Sequence, residues 1–339
     1  MKYKVSVIVP VYNGEKTIAS CLNSLLTQTL EAMEIIVVND ASTDATAVIL
    51  ELYEERFADR LAVVNLPENH GAGGARNYGI KKARGAYIGF TDSDDVAAPQ
   101  MYEKLYAKAQ EGAYDVVDCG FYQEEKDSAI IFTTDELTGV LNEKQRAELI
   151  VSGGYIWSKL FRRELFEDKN FIFREKAILE DADFLTYVFA SVRSIGNVKE
   201  ILYCYKDTED SASKVVKPEA YCKNIEEAIQ AVYDKVHTLA NYEAIREAVE
   251  YELLQMYSYG LNLCRYWEQR GRDCSAHQKE LVRLRCTLVS GDYTNSYVQQ
   301  KIAKEDIILM QQADMHRSDA DIEIETKHLK KSGKTADNN

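Results

Sequence analysis

The spacing of apolar and polar positions changes period in a regular order along the chain. Lys4-Val5-Ser6-Val7-Ile8-Val9 is β-branched and apolar on both parities, which suits a strand buried on both faces, as in a parallel sheet. Pro10 stops it and Val11-Tyr12-Asn13-Gly14 turns. Ile18, Leu22, Leu25 and Leu26 then recur at helical spacing within Glu15–Thr29. Glu34-Ile35-Ile36-Val37-Val38 reads as a second strand and runs into Asn39-Asp40-Ala41-Ser42-Thr43-Asp44. A helix carrying Val48, Ile49, Leu52 and Tyr53 follows, then a third strand, Leu61–Leu66. This β-α-β-α-β order predicts a parallel, right-handed, doubly wound sheet.

Asn69–Gly79 is rich in glycine and leads into a short helix. Gly71-x-Gly73-Gly74 lacks the dinucleotide G-x-G-x-x-G spacing and follows the third strand, not the first, and no P-loop motif occurs. Two readings stay open. The glycines let backbone approach a ligand, with Arg76 near a helix start facing an anion, or the stretch is a turn with a solvated arginine. Tyr87–Phe90 is a short buried strand that ends in Asp92-Ser93-Asp94-Asp95. Carboxylates clustered at the carboxyl edge of such a sheet suit a hard divalent cation, Mg²⁺ or Mn²⁺. The alternative is a turn capping the helix that Pro99 opens.

Further along, Tyr114–Gly120 and Ala129–Phe132 read as strands and Glu143–Val151 as a helix. Tyr155–Arg163 is aromatic and basic. Glu180-Asp181-Ala182-Asp183 opens a helix through Phe189, and acids in a first turn also suit the helix dipole. Ile201–Tyr205 is a strand, and Ser211–Lys214 a polar turn. From Pro218 the texture becomes helical, over Glu219–Leu239, Tyr242–Trp267, the region of Leu281–Leu288, and Val298–Met310. The expected division is a catalytic domain over 1–215, a helical region over 216–315 and a disordered polar tail over 316–339. The tail's basic cluster, Lys327–Lys334, is read as solvated, with contact to anionic lipid as the alternative.

Net charge is −14, with 55 acidic against 41 basic residues, which argues against a general nucleic-acid binder. No apolar run approaches the ~20 residues of a membrane span, and the start of the chain has no signal-peptide pattern. Seven cysteines are scattered without a C-x-x-C pair, so neither a disulfide framework nor a zinc site is expected. A cytoplasmic setting follows, with peripheral contact at the inner membrane face as the variant. His70, His237, His277, His316 and His328 show no ligand spacing. Asp44 reads as the cap of the helix after it.

Taken in order, Val7–Asn13, Asp40–Asp44, Asn69–Gly79, Ala83–Ile88, Asp92–Asp95 and Glu180-Asp181 resemble the inverting glycosyltransferases of family 2, with their GT-A fold. The resemblance covers Val5 to about Lys214. Trp157–Phe161, Glu180-Asp181 and Ser211–Ser213 resemble the subgroup that decorates bacterial surface polymers. Two positions depart from the pattern. Ala41 stands where the family commonly has glycine, and Lys206 where several relatives have arginine.

The resemblance implies a metal-dependent inverting transferase that takes a nucleotide sugar, with UDP as the expected nucleotide, and a glycan or polymer acceptor. It implies that Asp40 bonds the base and that Pro10, Val11 and Tyr12 contact the nucleoside. It implies that Asn69 and Arg76 approach the base or phosphates, and that Asp92 with Ser93 faces the ribose or metal shell. Asp94 would bind Mn²⁺ or Mg²⁺. Asp181 would be the catalytic base, with Glu180 orienting the acceptor or supporting it, and Asp183 a weaker candidate. Neighbours on a helix point ~100° apart, so Glu180 and Asp181 are not expected to face one atom. Trp157 is read either as acceptor floor or as core. The C-terminal helices would pack on the catalytic domain or pair with a second copy. Two rival classes remain. One is an idle GT-A subunit of a polymer-assembly complex. The other is a sugar nucleotidyltransferase, which usually has a Gly-rich basic loop after its first strand, where this chain has Pro10-Val11-Tyr12-Asn13.

Overall fold

The computed structural model describes residues 3–206, 217–291 and 293–315. The expected turn at Ser211–Lys214 and the polar tail, with His316 and His328, lie outside the described residues.

The chain opens with β1 (Val5–Val11), α1 (Ile18–Leu26), β2 (Met33–Asn39), α2 (Thr46–Arg56), β3 (Leu61–Asn65), α3 (Gly71–Lys82) and β4 (Tyr87–Phe90). β1 pairs in parallel with both β2 and β4, and β2 with β3. Every residue of β1, β2 and β4 is buried, which is why these strands show unbroken apolar runs instead of alternation.

Next come β5 (Val96–Ala97), α4 (Met101–Glu111), β6 (Val116–Gln123), β7 (Ser128–Ile130), β8 (Gly139–Val140), α5 (Glu143–Ser152), β9 (Lys159–Arg162), α6 (Glu180–Ser191) and β10 (Ser194–Tyr205). The sheet order is β3-β2-β1-β4-β9-β6-β10-β5. β9 lies antiparallel between β4 and β6 in the middle of the sheet. The sequence reading of Tyr155–Arg163 as an aromatic, basic stretch did not mark it as a strand, because Lys159 and Arg162 break the apolar run. Lys159 is nevertheless buried, at 2 % exposure. Its ammonium donates to the Tyr155 carbonyl at 3.1 Å, and burial lowers its pKa while Asp118 opposes that shift.

A strap over 171–179 crosses α3 and leads into α6. Asn77 clamps it in both directions, its amide donating to the Phe173 carbonyl (2.9 Å) and its side-chain oxygen accepting from the Phe173 N–H (3.1 Å). A Cβ on Gly73 would sit 2.1 Å from the Arg174 carbonyl oxygen, and one on Gly71 3.1 Å from the Lys176 backbone. Gly71 also has a φ of +73°. The backbone that the glycine run admits is therefore the chain's own strap.

The remaining helices are α7 (Pro218–Val236), α8 (Tyr242–Glu268), α9 (Ser275–Leu288), α10 (Ser296–Lys301) and α11 (Lys304–Met315). Pro218 starts α7 at a position where its missing N–H costs nothing. The chain forms two compact units. One runs to Lys217 and takes back Ala231–Val249; the other comprises Pro218–Gln230 and the chain from Glu250 onward. In the second unit Tyr257 and Tyr293 each donate to Asp314 (2.8 Å), and His277 bonds Glu226. Among the described residues no helix is long and apolar enough to cross a membrane.

Candidate active site

Two loops are stitched together beside the carboxyl edge of β1 and β2. Asn13 accepts from the Thr43 N–H (2.7 Å), Gly14 N–H donates to Thr46 (2.8 Å), and Glu15 N–H donates to Asp44 (3.1 Å). Asp44 also accepts from the Thr46 N–H at 3.0 Å, so it satisfies a first-turn donor of α2. Pro10 and Val11 are buried, whereas Tyr12 is 51 % exposed.

Asp40 ends β2 and is buried. Its carboxylate accepts from the His70 N–H (2.7 Å) at the entrance to α3, and its own N–H bonds the Val11 carbonyl (2.9 Å). Burial raises its pKa against those hydrogen bonds. Asn69 is exposed, and its amide donates to the Asp40 carbonyl at 3.2 Å. Ala41 has a φ of +58°. That left-handed turn explains why glycine is common after this aspartate in the family, since only glycine adopts it without a Cβ clash.

Arg76 is the hub. It lies on α3 at 5 % exposure, and its two terminal amines reach different elements. Nη2 meets Asp92 after β4 (2.9 Å), and Nη1 meets Glu180 at the start of α6 (2.5 Å). The two carboxylates raise its pKa further above its ordinary value, against the opposing effect of burial. In this structure, therefore, the guanidinium expected to approach the donor ties the acidic loop to α6.

The four residues Asp92–Asp95 divide. Asp92, Ser93 and Asp94 are half-buried, whereas Asp95 is fully buried. Asp95 accepts from the Tyr203 hydroxyl (2.8 Å) and from the Lys206 N–H (2.7 Å). The Asp92 N–H in turn donates to Tyr203 at 3.2 Å. Burial, then the charge of Asp92, pushes the Asp95 carboxyl up to about 8. Asp95 does more than cap a turn: it fastens the acidic loop to the end of β10.

Among the described residues no cluster of three or more His, Cys, Asp or Glu could hold a metal. The oxygen donors at Asp94 and Asp92 suit Mg²⁺ or Mn²⁺, which are commonly held by one or two carboxylates with substrate phosphates and water completing the set. With Asp95 engaged in the interior, that number of protein ligands is what the loop offers.

Leu179, at φ +60°, turns the strap into α6. Glu180 then points to Arg76, and Asp181, the next residue, is half-buried. Burial, then the charge of Glu180, pushes the Asp181 carboxyl up to about 7, against the pull of Arg76. Asp183 is fully buried and paired with Arg174 (2.7 Å) and Lys235 (2.8 Å), a packing role that removes it from the choice of base.

Trp157 is 4 % exposed and lies between Tyr155 (ring centres 4.6 Å, 8° apart) and Tyr203 (4.4 Å, 12°). It belongs to the core and cannot itself be a floor. Tyr155 and Tyr203 were not singled out from the sequence, and Asp95 was read there only as part of the acidic cluster. The available signal for Tyr203 was its pairing with Tyr205 in one strand, since alternate residues of an extended chain share a face; Tyr155 precedes β9, outside any strand, and carried no such signal.

These elements form a GT-A fold with helices appended at its C-terminal side. The profile of glycosyl transferase family 2 matches residues 6–169. The uncharacterized glycosyltransferase EpsJ of Bacillus subtilis is 37 % identical over 238 residues, which span 67 % of this chain and 68 % of that protein. The chain belongs to glycosyl transferase family 2 and is a glycosyltransferase. Two solved structures share the fold. S. aureus TarS 1-349, in complex with UDP-GlcNAc, superposes with a TM-score of 0.68 at 23 % identity over 92 % of this chain and 90 % of that one. The mannosyltransferase PcManGT of Pyrobaculum calidifontis, in complex with GDP-Man and Mn²⁺, gives 0.55 at 16 % identity over 93 % and 88 %.

Proposed function

We propose that the chain is an inverting, metal-assisted transferase that moves a sugar from a nucleoside diphosphate donor, a UDP-sugar, to a hydroxyl of a glycan or surface-polymer precursor. The observation that supports this best is the Arg76 bridge. It holds the acidic loop after β4 and the start of α6 within one guanidinium, so a diphosphate site and a candidate base share one anchor. The donor reading is supported by relatives of the same fold solved with UDP-GlcNAc and with GDP-Man.

Inverting transfer needs the acceptor proton removed as the hydroxyl attacks from the face opposite the leaving diphosphate. Asp181 is the base in this account. A carboxyl at about 7 is ionised in part at neutral pH and accepts a proton more readily than an ordinary aspartate. Glu180 holds Arg76, and through it the helix start that aims Asp181. Asp40, with Pro10, Val11, Tyr12 and Asn69, forms the nucleoside side of the site, and Asp92 with Ser93 the ribose side. Asp94 would hold Mn²⁺ or Mg²⁺, which would stabilise the departing diphosphate as a Lewis acid. A structure of the same fold solved with Mn²⁺ supports the use of a divalent metal.

The polymer-precursor acceptor rests on the resemblance of Trp157–Phe161 and Glu180-Asp181 to enzymes of bacterial surface polymers. The acidic balance of the chain argues against nucleic acid as a partner. Pairing of two copies through the C-terminal helices, and peripheral membrane contact, stay as proposals for light scattering and vesicle sedimentation.

A panel of UDP-, GDP-, CDP- and dTDP-sugars with Mn²⁺, read by nucleotide release, tests the donor assignment. Release from one class, led by a UDP-sugar, is expected. An idle subunit would release nothing, and a nucleotidyltransferase would instead make a sugar nucleotide from a sugar phosphate and a nucleoside triphosphate.

A further inference from the structure

We infer that Tyr155 is the platform on which the acceptor's sugar ring lies, and that the acceptor unit which reacts is a cyclic glycoside, not an acyclic polyol phosphate. The inference rests on Asp181 being the base, as proposed above. Tyr155 is 40 % exposed, although the residues under it are buried. One face of its ring is covered by Trp157, stacked at 4.6 Å and 8°. Trp157 is itself stacked on Tyr203, and Phe121 closes the column edge-on to Tyr155 at 5.4 Å.

The backbone under the ring is equally fixed. The buried Lys159 ammonium donates to the Tyr155 carbonyl at 3.1 Å, and the Ser158 hydroxyl donates to the same oxygen at 3.2 Å. A surface aromatic held this firmly keeps little rotamer freedom, so it loses little entropy when something lies on it.

The foot of the column reaches the acidic loop, because the Tyr203 hydroxyl bonds Asp95 and the Asp92 N–H. Its top lies within electrostatic range of Asp181, whose charge, after burial, pushes the Tyr155 phenol up. A rigid, exposed aromatic ring, flanked by Phe121 and Phe132 and within electrostatic range of the Asp181 carboxylate, matches a pyranose. The ring's axial C–H bonds give an apolar face for stacking, and a hydroxyl on its edge can meet the carboxylate. An acyclic polyol phosphate offers no such face and brings negative charge toward Asp181, Glu180 and Asp92.

The test uses the full-length protein with the donor found in the panel above. The acceptors are methyl pyranosides of glucose, galactose and N-acetylglucosamine, with ribitol 5-phosphate as the acyclic probe. Transfer to at least one pyranoside, and not to ribitol 5-phosphate, is expected. Tyr155→Ala should raise the acceptor KM about tenfold or more, and Tyr155→Phe should keep it within about threefold, while UDP binds both variants within about twofold of the parent.

Four results would overturn the platform. They are an unchanged KM in Tyr155→Ala, a loss in Tyr155→Phe as large as in Tyr155→Ala, UDP binding that weakens in step with the acceptor KM, and transfer to ribitol 5-phosphate in preference to every pyranoside. Failure of every nucleotide sugar in the panel would show up earlier, and it would refute the donor reading together with this one.

Discussion

Arg76 and Asp181 are opposite solutions to burying charge. Arg76 is enclosed, yet two carboxylates keep it ionised. Removing it would leave Asp92 and Glu180 facing each other. Arg76→Met should therefore lower unfolding free energy by about 3 kcal/mol in a denaturant titration, toward the low end for a broken buried pair because Asp92 is partly solvated. A loss near zero would mean that water replaces the guanidinium easily.

Asp181 carries a raised pKa, so its ionised, proton-accepting form is lost as pH falls through about 7. The kcat/KM profile should show an acid limb near that value, set by Asp181 together with Glu180, Arg76 and Asp92 around it. A limb near 4 would indicate a base in a more ordinary setting.

At the scale of elements, the strap over 171–179 sets where α6 begins. Gly73→Ala would drive a methyl group into the Arg174 carbonyl. It should cost about 1–3 kcal/mol of stability and should also lower kcat, because displacing the strap moves Asp181. Ala41→Gly should act in the opposite direction. It relieves a left-handed alanine at φ +58° and should gain about 0.5–1 kcal/mol, seen as a higher denaturation midpoint.

The strap also marks where sequence reading stops. β1, β2 and β4 were legible because burial on both faces leaves continuous apolar runs. β9 was hidden, because a buried lysine with its own polar partners looks like a surface charge when only the sequence is seen. The glycines of α3 suggested a ligand cradle, but the contact they allow is with a segment about 100 residues later, which no local pattern encodes. The same distance separates Arg76 from Glu180 and Asp95 from Tyr203. The residue types of the candidate site stand in the sequence as expectations, while the pairings among them required the fold.

For the whole molecule, the half-buried acidic loop is expected to be completed by its ligands. UDP should bind more tightly with Mn²⁺ or Mg²⁺ present, and Asp94→Asn should remove most of that gain in calorimetry. Equal affinity with and without metal would argue against Asp94 as a ligand. The central claim is that donor binding and proton removal are separate tasks performed by two clusters joined through Arg76. The most direct measurement is made on Asp181→Asn, with donor affinity by calorimetry and transfer rate by nucleotide release in the same preparation. Near-parental donor affinity and a rate reduced by about 10²–10⁴ are expected. Transfer surviving near the parental rate would contradict the central claim and place the base elsewhere.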